Sequence, residues 1–263
     1  DTEYLILVVP SHVMRKVVSQ LKDHIYNETI IISASKGIEN NTLLRMSEVI
    51  IEILPSPLHQ NIAVISGPSF AKEVSKRLPT AVVVAANNIS VAQKVQNLFS
   101  CNFLRTYTNN DICGVELGGA IKNIIAIATG ITDGLCLGCN TRASLITRGL
   151  AEMTKLGVTL GACEKTFYGL SGMGDLVLTT TSELSRNYTL GFRVGQGEKL
   201  QDVLNSTKMV AEGVKTAKAV KDLANKHEVE MPITFEVNNV LFNEKSPQKA
   251  VNDLMKRKLK SEY

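Results

Sequence analysis

Residues 1–109 alternate between short continuous apolar runs and segments whose apolar residues recur every three or four positions. Tyr4–Val9, Thr29–Ser33, Asn61–Ile65, Ala81–Ala85 and Phe103–Tyr107 read as strands. Their apolar positions are consecutive, as in strands buried on both faces of a parallel sheet. Between them, His12–Ile25 carries Val13, Val17, Leu21 and Ile25 at helical spacing. Thr42–Leu54 is predicted helical and ended by Pro55 and Pro57, and Val91–Phe99 forms a further helix. This alternation predicts an open α/β sheet with helices on its faces.

After Asn109 the strand-like runs stop. Helical periodicity dominates in Val115–Ile131, Arg142–Leu156, Lys215–Ala224, Phe235–Phe242 and Ala250–Leu259, with glycines such as Gly157, Gly169, Gly174 and Gly197 between them. The expected organisation is two domains, an α/β unit over 1–109 and an all-α unit over 110–263. No internal repeat or low-complexity tract interrupts either.

The chain has 263 residues, 44% hydrophobic and 21% charged, which suits a globular protein able to bury a core without disulfides. A net charge of +4 fits a small anionic substrate. No basic stripe or aromatic platform suggests nucleic acid, and Lys256–Lys260 reads as a solvated helix end. Five cysteines, an odd count, suit free thiols in a reducing cytoplasm. Cys136 and Cys139 form a single C-x-x-C with no second pair, so no metal site is expected. The stretch Leu117–Ile131 is interrupted by Lys122 and Asn123 and falls short of a membrane span. The opening run Tyr4–Pro10 is too short for a secretory signal.

Lys122 is the only charged residue between Glu116 and Asp133. As a helix this stretch is apolar on nearly every side and belongs inside the protein. An ammonium there finds a partner or loses its proton. Such a lysine suits general acid–base work, although a snorkelling or structurally paired lysine fits the position too.

Four other segments carry residues that packing does not require. Ser33–Glu39, with Lys36, follows a strand, where open α/β sheets bind ligands; a plain loop lysine is the alternative. In Ile65–Glu73, Gly67 admits a ligand close to the backbone and Ser69 reads as a helix cap that leaves N–H groups for an anion. In Gly169–Asp175, Asp175 either caps the next helix or holds Lys122. Thr179–Ser182 with Ser185, Arg186 and Asn187 can collect phosphate or hydroxyl oxygens, Arg186 through its planar fork, or can simply start a surface helix with Ser185 as cap. No G-x-G-x-x-G lies between a strand and a helix, and Gly169–Gly174 has the reverse spacing.

Ser35-Lys36-Gly37-Ile38-Glu39, Gly67-Pro68-Ser69-Phe70-Ala71, Gly114–Asn123, Gly172-Met173-Gly174-Asp175-Leu176, Ser185-Arg186-Asn187 and Glu212-Gly213-Val214 occur in this order. Together they resemble the bacterial NAD(P)-dependent glycerol-3-phosphate dehydrogenases, as do Leu145–Met153 and Glu230–Ile233, over essentially the whole chain. The resemblance implies a Rossmann-like doubly wound parallel sheet, N-terminally incomplete, followed by an all-α C-terminal domain. It implies interconversion of sn-glycerol 3-phosphate and dihydroxyacetone phosphate with NAD or NADP, in the cytoplasm, supplying phospholipid synthesis. A homodimer is compatible with it.

By the same resemblance Lys122 is the proton acceptor, and Lys36, Gly67, Ser69, Asp175, Ser185, Arg186 and Asn187 bind substrate. Lys36, Ala71, Arg186, Val210 and Glu212 border the cofactor. A strand and glycine-rich loop are expected upstream of Asp1. The rival readings are a related hydroxyacid dehydrogenase of two-domain build and a non-catalytic helical interaction module.

Overall fold

A computed structural model describes residues 2–206 and 211–262. Five strands form one sheet in the order β1 (Tyr4–Leu7), β2 (Ile30–Ser33), β3 (Ile62–Ser66), β4 (Thr80–Ala86), β5 (Leu104–Asn109). The β1/β2, β2/β3 and β4/β5 ladders are parallel, as the apolar runs predict. The β3/β4 ladder is antiparallel. The connection explains the difference. Its helix α3 (Ala71–Val74) has four residues, about 6 Å of rise, too short to return along a strand of about 17 Å. The chain therefore turns back beside β3.

Side chains alternate across the sheet. Ile31 and Ile62 pack with Met14, Val18, Val49 and Ile50 from α1 (Met14–Leu21) and α2 (Met46–Ile53). Ile30, Ile32 and Ala63 pack on the other face with Val91, Ala92 and Val95 of α4 (Ile89–Phe99). The second helix is shorter than the 42–54 its periodicity predicts. Leu43 adopts a positive φ of 62°, and Arg45 is the N-cap.

The remaining chain is helical: α5 (Ile112–Gly134), α6 (Gly138–Thr159), α7 (Glu164–Phe167), a π turn (Leu170–Gly174), α8 (Asp175–Thr181), α9 (Arg186–Gly195), α10 (Leu200–Asn205), α11 (Glu212–Lys226), α12 (Pro232–Phe242) and α13 (Pro247–Met255). Helix α5 is the hub, packed by α6, α8, α9 and α11. It outruns the expected 115–131 at both ends. It is long and apolar enough to cross a membrane, but 89% of its most apolar stretch is buried inside the fold. Ile112 and Val115 pack against Val64, Val83 and Ala85 of the sheet. From Ile112 to Lys122 the helix rises about 15 Å, roughly the length of β3. Lys122 thereby arrives at the sheet edge where β2 and β3 end.

Candidate active site

Four segments meet at that edge. After β2, the Ser35 hydroxyl donates to Val9 O at 2.6 Å, which fixes the loop against β1 and sends Lys36 over the edge. After β3, Gly67 turns the chain with φ +134°. A side chain there would crowd the backbone of β4, at 3.1 Å from Val82 Cα, and the positive φ already favours glycine. Ser69 donates to Gly67 O at 3.1 Å, and Lys36 Nζ reaches the same carbonyl at 3.3 Å. Ser69 is not the expected helix cap: Phe70 occupies that position, with no side-chain cap.

The third segment is α5, held to the sheet domain by Glu116. Its buried carboxylate accepts Ser47 N at 2.8 Å, Ser47 Oγ at 2.6 Å and Arg45 at 2.9 Å. The fourth is the π turn and α8. Asp175 opens α8 and caps nothing, because its carboxylate takes Lys122 on one oxygen at 2.7 Å and Lys36 on the other at 2.6 Å. Thr179, one turn on and on the same face, accepts a second bond from Lys122 at 2.6 Å. Its own proton goes to Asp175 O. Thr179 thus holds the lysine, where its sequence context suggested collection of phosphate oxygens.

Lys122 is 5% exposed. Burial and then the neighbouring Lys36 charge push its pKa down to about 8, against the opposing pull of Asp175. Burial alone would raise the Asp175 pKa, but the Lys36 and Lys122 charges outweigh it and hold the carboxyl below its usual range. The site is a carboxylate shared by two ammonium groups, one of them sealed from water with its pKa pushed down to about 8.

The other expected residues gather nearby without joining this triad. Ser185 caps α9 by accepting Tyr188 N at 3.2 Å, and Asn187 Oδ1 accepts Gly213 N at 2.9 Å in the first turn of α11. Both are buried. Glu212 opens α11 and accepts the Ser11 hydroxyl at 2.7 Å, a contact between the two halves that the sequence did not signal. Ala71 is exposed at the start of α3. Arg186 is exposed at the start of α9 and lines a cleft of about 220 Å³ with Lys72, Arg193 and Ala211. Val210 lies outside the described residues.

Two sequence families match the chain: NAD-dependent glycerol-3-phosphate dehydrogenase N-terminus over residues 1–92 and the corresponding C-terminus over residues 111–252. The chain belongs to the NAD-dependent glycerol-3-phosphate dehydrogenase family. A glycerol-3-phosphate dehydrogenase (NAD(P)+) from Syntrophotalea carbinolica is 54% identical over 99% of this chain and 78% of its own length. One from Geobacter sulfurreducens is 55% identical over the same shares. The crystal structure of glycerol-3-phosphate dehydrogenase from Coxiella burnetii superposes with a TM-score of 0.92 at 42% identity, covering 97% of this chain and 77% of that one.

The donor set suits the cofactor of this family. The cleft is lined by Lys72, Arg186, Glu183 and Arg193; Arg193 is paired with Glu198, and Lys72 and Arg186 are the cations that suit a phosphate-bearing group. It borders both the segment after β3 and the start of α9. Its volume suits part of a dinucleotide.

Proposed function

We propose that this chain interconverts sn-glycerol 3-phosphate and dihydroxyacetone phosphate with Lys122 as proton acceptor. The observation that carries this reading is the buried Lys122 amine, held by Asp175 and Thr179, with a pKa near 8. A general base works best when its pKa lies close to the working pH. An ammonium has three donors, and the described residues take two of them. The remaining position suits the secondary hydroxyl of the substrate.

In oxidation, neutral Lys122 takes the hydroxyl proton as the carbinol hydrogen departs with its electron pair. Bound NAD or NADP supplies the hydride acceptor. In reduction, the Lys122 ammonium returns its proton to the ketone oxygen. Exclusion of water strengthens each of these interactions. Asp175 orients Lys122, and Lys36 keeps its proton labile. Lys36, Gly67, Ser69, Asp175, Ser185, Arg186 and Asn187 are the proposed substrate residues, with Arg186 best suited to the phosphate. Lys36, Ala71, Arg186, Val210 and Glu212 are the proposed cofactor residues. The domain division we propose is 1–109 and 110–263, with the enzyme working in the cytoplasm.

Replacement of Lys122 by Met keeps the length and removes the amine. Glycerol 3-phosphate oxidation should fall by at least about 10²-fold in kcat, with KM little changed. Wild-type turnover in a folded Lys122→Met protein would overturn the assignment.

A further inference from the structure

Helix α5 carries two consecutive glycines, Gly118 and Gly119, within one turn of Lys122. Glycine inside a helix costs stability relative to alanine, and neither residue has a left-handed backbone to require it. What they face explains them. A Cβ at Gly118 would lie 2.7 Å from Ser171 O and 3.3 Å from Gly172 N, in the π turn that delivers Asp175. A Cβ at Gly119 would lie 2.8 Å from Ser66 Oγ and 3.6 Å from Cγ and Cδ of Lys36. Successive helical residues point about 100° apart, so the pair opens two sides of α5, one to each arm of the site.

We propose that Gly119 is a positioning residue for proton transfer: its missing side chain admits the Ser66 hydroxyl against α5, and so sets the approach of α5 to the β3 edge that brings Lys122 and Lys36 to the same Asp175. This rests on the proposed role of Lys122. Gly119 precedes Lys122 by three residues and shares its face of the helix. The Ser66 hydroxyl is buried and makes no hydrogen bond among the described residues. No polar interaction therefore explains its place, and it is the atom that a methyl at 119 would strike. Its removal costs no bond. The nearest remaining atoms would then be those of Lys36 at 3.6 Å, an ordinary contact distance. Gly118 differs, because its obstruction is backbone and no side-chain change can relieve it.

The experiment compares Gly119→Ala, Ser66→Ala and the double variant by thermal denaturation, kcat and KM for glycerol 3-phosphate, and the titration midpoint of Lys122 followed by ¹³C NMR. Gly119→Ala should lose at least about tenfold in kcat. Its Lys122 midpoint should rise, because α5 is pushed from β3 and Lys122 moves away from the Lys36 charge that lowers it. Ser66→Ala alone should match wild type, and the double variant should recover both kcat and midpoint to within about twofold and a few tenths of a pH unit. Wild-type kcat and midpoint in Gly119→Ala would overturn the proposal, as would a folded double variant that keeps the defect. If Gly119→Ala alone does not fold, the double variant decides in the same way. A shifted midpoint with unchanged kcat would support the positioning and refute the proton-acceptor role.

Discussion

Lys122 and Asp175, 53 residues apart in the chain, meet at 2.7 Å with side chains 7% and 2% exposed. Among the described residues, Asp175 is the partner that raises the Lys122 pKa, against burial and Lys36. Asp175→Asn leaves two ammonium groups without their shared counter-charge. Breaking a buried pair costs about 3–5 kcal/mol. With the Lys122 pKa lowered further below its unfolded value, the unfolded state binds more protons, so stability rises with pH. Urea denaturation should show a larger deficit at pH 6 than at pH 9.

Lys36 lowers the Lys122 pKa by repulsion. Lys36→Met removes that charge and leaves Asp175 wholly to Lys122. The Lys122 midpoint read by NMR should move above 8 toward the ordinary lysine value. A midpoint that stays put or falls would show that Lys36 does not act on Lys122 through charge.

Arg186 lines the cleft beside α9 together with Lys72. Arg186→Ala should raise KM for glycerol 3-phosphate by about 10- to 100-fold, a loss in the range of a charge-assisted hydrogen bond, with a smaller effect on kcat. An unchanged KM would remove Arg186 from phosphate recognition.

Arg45 and Glu116 join α2 to α5 at 2.9 Å. Burial raises the Glu116 pKa even with Arg45 beside it. Arg45→Met should cost about 3–5 kcal/mol near neutral pH by leaving a buried carboxylate unpaired. A raised folded pKa means that stability is present at low pH and lost as pH rises through it. The deficit measured by urea denaturation should therefore shrink at pH 5.

Much of this was legible in the chain. Continuous apolar runs located all five strands, and an almost wholly apolar helix placed Lys122 inside. The two roles open to Asp175 were the right pair to weigh, and only coordinates could choose the lysine over the cap. The antiparallel β4 was hidden, because strand direction depends on a crossover length that apolar periodicity does not encode. Helices α7 and α10 are short and gave no periodic signal, whereas α8 and α9 were legible only at their starts, through Asp175 and the Ser185 cap. Thr179 was misassigned because the Asp175-x-x-x-Thr179 spacing has meaning only once α8 is known to be helical. Ser11 and Glu212 meet across 201 positions, beyond the reach of any local pattern.

A buried amine whose pKa lies near the working pH takes the substrate proton. The pH dependence of kcat/KM for glycerol 3-phosphate oxidation, which reports groups of the free enzyme, tests this most directly. Only unprotonated Lys122 can accept a proton, so kcat/KM should climb with pH, about tenfold per unit on the acid side, and level off above the Lys122 pKa of about 8. A kcat/KM that stays flat from pH 6 to pH 10 would contradict it.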